Sequence, residues 1–249
     1  CYINHGTAPF TQPWAGIVAG ADAGCEEAWK LATGDEEIIV AVMDEAVMWS
    51  HPDLADNIWI NEGEELYAGV DADGNGYEDD KYGYNFARNT PVTSWTTTGN
   101  TGHGTHVAGI IAAENNKVGG IGVAYNCKIM VLKAGNSSGY FNNSDIAEAV
   151  RYAYMNGASV INMSFGGSNI SVAVEEALEN AYNYCVLVAA AGNDGACNDL
   201  SCKECDIVKV CYPAALPFVI GVMSTDKNGD CVSSFSNYDH YPYDSIEYE

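Results

Sequence analysis

Five short apolar runs punctuate the chain: Glu37–Met43, Lys128–Leu132, Ser159–Met163, Cys185–Ala190 and Phe218–Val222. Each is continuous rather than alternating and is bounded by polar or glycine-bearing segments. That is the pattern of strands covered on both faces of a parallel sheet. Helical spacing fills two of the gaps. One predicted helix runs from Ser144 to Met155, with Ser144 as N-cap and Gly157 as stop; the other runs from Ser171 to Ala181, again led by a serine. Strands alternating with helices predict an α/β fold, a mainly parallel central sheet flanked by helices. In such folds functional groups gather beyond the carboxyl ends of the strands. Asp44, Ser164 and Asn193 each stand just past a strand end. Residues 57–100 are polar and glycine-rich and read as a loop-like insertion, residues 1–36 as an N-terminal arm with a first helix, and residues 196–211 as a cysteine-rich insertion, all within one domain.

Composition narrows the function classes. With 249 residues, 47% of them hydrophobic, the chain can bury a sizeable core. Ten basic against 34 acidic residues give a net charge of -24. That excludes a nucleic-acid binder and suits cations and basic ligands. No apolar run reaches the roughly 20 residues of a membrane-spanning helix. The chain opens at Cys1 without a basic and apolar leader, so any export signal is expected to have been removed or never to have existed; a cleaved propeptide is a candidate partner, and Cys1 is also a candidate for lipidation. Nine cysteines, four of them at 197, 202, 205 and 211, favour disulfides in an oxidising compartment. Zinc is the competing account of those four, although their spacing matches the usual zinc patterns poorly. Pairing stays open. Cys127 and Cys185 lie in apolar runs and are predicted to be buried free thiols.

The densest chemistry lies in "GHGTHVAGIIAAENNKVGGIGVA" (Gly102 to Ala124), together with "VAVMDEAVMWSHPDL" (Val40 to Leu54), "VINMSFGGS" (Val160 to Ser168), "VLVAAAGNDG" (Val186 to Gly195) and "YPAALPFVIGV" (Tyr212 to Val222). In this order and across most of the chain, these segments resemble the subtilisin-like serine proteases, the subtilases. The resemblance implies the three-layer subtilisin-like fold and a triad in which His103 is the general base and Asp44 its orienting carboxylate. It makes Asn193 the oxyanion donor. Ser164, Phe165, Gly166 and Gly167 would pair with an extended peptide, and Ala190, Ala191 and Gly192 would wall the primary pocket, with Tyr140 or Phe141 near a more distal subsite. His106, one turn from His103, is expected to be a packed core histidine. A secreted or cell-surface endopeptidase acting on polypeptides is implied.

Two departures qualify this reading. The family places Ser or Thr and then Gly after its aspartate, whereas Glu45 and Ala46 follow Asp44 here. The family's Gly-Thr-Ser-Met-Ala motif does not occur, so the serine is expected from a segment beyond residue 249 or from a second chain. The alternative is a catalytically inactive subtilase-like domain that binds peptides or proteins. Two acidic stretches point to Ca²⁺. Asp71, Asp73 and Asn75 with the Tyr77 carbonyl follow the D-x-D-x-N-G spacing, with Asp79 or Asp80 expected to close the shell. A solvated acidic turn is the competing account. By resemblance, Asp53, Glu114, Asn116, Val118 and Gly120 form a second calcium site.

Overall fold

The computed structural model describes residues 23–92, 101–136, 138–195, 209–226 and 232–237. The chain divides into two compact units. The larger comprises Gly34–Phe165 and Ile170–Val188; the smaller comprises Cys1–Thr33, Gly166–Asn169 and Ala189–Glu249.

The larger unit is built on parallel strands. β1 (Ile39–Asp44) lies between β4 (Lys128–Lys133) and β5 (Val160–Met163), with Val42 level with Val131 and Asn162, and Asp44 level with Lys133. β6 (Val186–Ala190) continues from β5 through a bond from the Val186 amide to the Ser159 carbonyl at 2.9 Å. On the far side, β2 (Gly83–Asn85) runs parallel to β4 and antiparallel to β3 (Thr90–Pro91). All five predicted strands form, each shifted, trimmed or extended by a residue or two. Within the segment read as a loop-like insertion, residues 57–92 are more ordered than expected: they supply β2 and β3 and follow directly on a 3₁₀ turn at Ala55–Asn57.

Alternation fixes which face meets which helix. Val40, Val42, Ile129 and Val131 join Ala108 and Ala112 of helix α2 (Thr101–Ala112) in one buried cluster with Leu54 and Ile58. The intervening set, Ala41, Met43, Met130 and Leu132, is buried as well. Helix α3 (Asn143–Met155) packs on β4 and on helix α4 (Val172–Ala181). Its start corrects the sequence reading. The N-cap is Asn142, not Ser144, and Asp145 in the first turn accepts from the Asn142 side chain at 2.9 Å. Ser144 is thus inside the helix, because the extended backbone ends at Asn142. Gly157, at φ 82°, follows the helix as predicted. α4 begins at Ser171, whose side chain accepts from the Val174 amide at 3.3 Å.

The smaller unit contains helix α1 (Cys25–Ala28) and strand β7 (Ile220–Val222), which bonds to Ala191 after the end of β6 at 2.9 Å. No helix among the described residues is long and apolar enough to cross a membrane.

Candidate active site

Asp44 is the last residue of β1, and its side chain is buried because α2 crosses the sheet at this point. The crossing depends on Gly104. A Cβ there would sit 2.8 Å from Asp44 Cβ and would meet the Ala46 carbonyl. The closeness brings His103, in the first turn of α2, against the carboxylate: Nδ1 lies 3.0 Å from Asp44 Oδ1 and 2.9 Å from Oδ2. The carboxylate also accepts from the Glu45 amide at 2.8 Å. With a carboxylate accepting, Nδ1 carries the hydrogen and Nε2 is the free basic nitrogen. The His103 side chain is 50% exposed and that of Asp44 is 2% exposed, so the buried member orients and the exposed member can meet a reactant. Thr105 steadies the turn by accepting from the Met48 amide at 2.9 Å.

His106 does not follow its expectation. It is exposed, and the buried stripe of α2 runs through Gly104, Ala108 and Ala112 at four-residue spacing. His103 and His106 both fall off that stripe.

Lys133, at the end of β4, is buried and donates to the carbonyls of Glu45 and Gly135, the latter at 2.8 Å. It ties the turn after Asp44 to the loop that begins at Gly135. Burial pushes its pKa down, an effect increased by Arg88 and opposed by the charges of Glu45 and Asp44. In that loop Gly135 bridges Phe141, and Phe141 stacks on Phe165 with centroids 4.1 Å apart. Ser164 accepts from Asn162 at 2.9 Å. Tyr140 is 73% exposed.

In the smaller unit, Gly167 exchanges both main-chain bonds with Tyr212, at 2.9 and 2.8 Å, so its groups are already engaged. Ala191 is buried, Ala190 half-buried and Asn193 exposed. Gly192 has φ 105° and is held by the Asn237 amide, which donates to its carbonyl at 3.0 Å. Asn237 Oδ1 in turn accepts from the Asp194 amide at 2.9 Å. Asn237 therefore fixes both flanks of Asn193, a role that no sequence motif announced. Ser233 and Ser236 are buried, and their hydroxyls donate to the carbonyls of Thr225 and Asn237.

A buried carboxylate against a half-exposed imidazole is the pair that the resemblance implied, and the comparisons show the family. The profile described as the subtilase family matches residues 35–249. The chain belongs to the subtilase family. It is 35% identical over 215 residues to the halolysin-like extracellular serine protease Nep of Natrialba magadii, covering 86% of this chain and 34% of that one. It is 43% identical over 136 residues to Subtilisin DY of Bacillus licheniformis, covering 54% of this chain and 47% of that one. Its fold is similar to that of Sphericase, with a TM-score of 0.62 and 28% identity, covering 85% of this chain and 62% of that one. The chain thus spans about a third to three fifths of the length of these relatives.

This subtilase has two acidic loops to place. In the first, Glu64, Asp71 and Asp73 bring carboxylate oxygens within 4.8 Å of one another. Glu64 is a residue the sequence reading missed. It is buried and accepts from the amides of Ala72 and Asp73 at 2.6 and 3.1 Å and of Asp79 at 3.2 Å, shaping the loop from eight residues upstream. Asn75 Oδ1 accepts from the Tyr77 amide at 2.8 Å. Neither Asp79 nor Asp80 belongs to the three-carboxylate group. Asp79 accepts from the Gly69 amide through both oxygens, at 3.0 and 3.1 Å. Asp80 accepts from Tyr152 at 2.6 Å, Asn75 at 2.9 Å and Asn61 at 3.0 Å. Burial pushes the Asp80 pKa up, against the pull of those three donors. In the second loop, Asp53 Oδ2 accepts from the Gly120 amide at 3.0 Å, while Oδ1 is buried with no hydrogen-bond partner among the described residues. Asn116 Oδ1 accepts from the Val118 amide at 2.8 Å, and its amide donates to Glu114 at 2.9 Å.

Proposed function

We propose that this chain supplies the base, the orienting carboxylate and the oxyanion donor of a secreted serine endopeptidase. The observation that carries the reading is the approach of His103 Nδ1 to both oxygens of buried Asp44, at 3.0 and 2.9 Å. A serine hydroxyl becomes a nucleophile when a neutral imidazole takes its proton. His103 Nε2 is free to do so, and Asp44 stabilises the imidazolium that results. The Asn193 amide then donates to the oxygen on which negative charge develops, and residues 164–166 hold the peptide as an added strand. The nucleophile is a serine in the family's Gly-Thr-Ser-Met-Ala setting, which these 249 residues do not contain. The buried, carbonyl-bonded hydroxyls of Ser233 and Ser236 are poor substitutes.

Calcium is part of the proposal. Three carboxylates within 4.8 Å repel one another unless a cation lies between them, and Asp71, Asp73 and Glu64 with the Tyr77 carbonyl suit oxygen-seeking Ca²⁺. The orphaned oxygen of Asp53 suits a second ion, shared with Asn116 and the carbonyls of Glu114, Val118 and Gly120. Both ions would be structural. The relatives' extracellular setting supports secretion.

The test is hydrolysis of a denatured protein by the native enzyme and by Asp44→Asn. We expect cleavage by the former and a kcat lower by about 10⁴-fold in the latter, with the fold unchanged. An inactive native protein, or equal rates in the two, would overturn the reading.

A further inference from the structure

The side chain of Asn193 is exposed and has no hydrogen-bond partner among the described residues. Only the backbone around it can set where its amide points. The two peptide units that meet at its Cα are both held by one residue of the same unit, Asn237. The Asn237 main-chain amide donates to the Gly192 carbonyl at 3.0 Å, which fixes the peptide unit before Asn193. Its side-chain Oδ1 accepts from the Asp194 amide at 2.9 Å, which fixes the unit after. Its Nδ2 donates to the Lys209 carbonyl at 2.9 Å, so a flipped carboxamide would lose both side-chain bonds. Nδ2 also lies 2.6 Å from where a Cβ on Gly192 would be, a closeness that glycine at φ 105° permits. Asn237 is itself anchored. It is 2% exposed, the neighbouring Ser236 hydroxyl accepts from the Ser224 amide at 2.9 Å, and the Phe235 carbonyl accepts from the Gly195 amide at 2.9 Å.

A buried carboxamide that makes bonds through both ends is stiff, because losing either bond leaves a desolvated group unpaired. A donor to a developing oxyanion contributes most when it already points at the place where the charge appears. We propose that Asn237 is a positioning residue of the oxyanion donor: it holds the peptide units on either side of Asn193, so that the exposed amide keeps one direction. This rests on the protease reading, in which Asn193 is that donor. Asn237 is buried, and its effect on the reaction passes through Asn193. The residue type is demanding. Aspartate keeps the acceptor for Asp194 and sets an oxygen against the Lys209 carbonyl; alanine offers neither bond.

The experiment compares the native protein with Asn237→Ala, Asn237→Asp, Asn193→Leu and the pair Asn193→Leu with Asn237→Ala. The readouts are kcat and KM on one peptide, the urea midpoint, and hydrogen exchange at the Asp194 amide. Asn237→Ala is expected to lower kcat by about tenfold and to leave KM within about twofold, because the donor is misplaced while the peptide still binds. Asn237→Asp should lose stability as Asn237→Ala does, yet keep a kcat nearer to native. Added to Asn193→Leu, Asn237→Ala should cost no further kcat, since no amide is left to position. The Asp194 amide should exchange about tenfold faster or more in Asn237→Ala than in the native protein. Should Asn237→Ala not fold, the pair is made with Asn237→Ser. An equal loss of kcat with and without the Asn193 amide, or an Asp194 exchange rate unchanged by Asn237→Ala, would overturn the proposal. If the native protein cleaves no peptide, the protease reading fails, and the exchange rates still decide whether Asn237 holds the backbone around Asn193.

Discussion

The dyad was legible one residue at a time because its members are set by short motifs. Asp44 ends an apolar run, and His103 sits among the small residues that allow α2 to approach. Gly104 tests that approach. Gly104→Ala puts a methyl group against Asp44 and the Ala46 carbonyl, and we expect a loss of about 1–3 kcal/mol in urea unfolding together with a fall in kcat. A variant with native stability and native kcat would show that the crossing tolerates a side chain. Asn193→Leu should lower kcat by about 10²–10³-fold with little change in KM, the scale known from subtilisin itself; a change confined to KM would assign Asn193 to substrate binding instead. Residues that act through a distant partner were illegible. Glu64 works on amides at 72, 73 and 79, and Asn237 on the amide at 194. Neither carries a local signal, since only the fold brings these positions together. His106 was misread because spacing alone does not say which way the α2 stripe faces.

Elements were easier to foresee than their ends. The buried strands announced themselves as continuous apolar runs, and Ser171 as the cap of α4. The cap of α3 was missed because Asn142 and Ser144 are both good capping residues, and only the backbone turn chooses between them. β2 and β3 were missed because strands of three and two residues are too short for a periodic signal, and their place is set by pairing with β4. Ser171→Ala removes the acceptor for the Val174 amide and should cost about 1 kcal/mol, read as a shift in the urea midpoint; no shift would mean that water replaces the cap. Tyr77 links the acidic loop to α3, its hydroxyl donating to Glu148 at 3.3 Å. Burial first, and then the Glu148 charge, push its pKa from 10.0 up to about 12. Between those values the unfolded chain loses the proton while the folded one keeps it, so stability falls as pH rises through that window. Tyr77→Phe should flatten that fall by on the order of 1–2 kcal/mol in guanidinium titrations at pH 9 and pH 12, with allowance for partial exposure. Parallel curves for the two proteins would deny the link.

For the molecule as a whole, the acidic charge and the proposed calcium belong together. A chain with 34 acidic and ten basic residues gathers carboxylates that a bound cation would relieve. Removing Ca²⁺ with a chelator should lower Tm by about 5–10 °C, and Asp73→Ala should reduce that response; a Tm indifferent to calcium in both proteins would contradict the metal assignment. Fold class and family were readable from the whole sequence, since five motifs in fixed order are seldom shared by accident. The proposed activity turns on one reactive group, and labelling detects it directly. The native protein is treated with a fluorophosphonate probe, and intact mass is read beside that of a His103→Ala variant. The account expects a single adduct on a serine outside these 249 residues, carried by the native protein or by a second chain bound to it, and almost none with the variant, because His103 is proposed to activate that serine. No adduct with the native protein, or equal labelling of both, would contradict it.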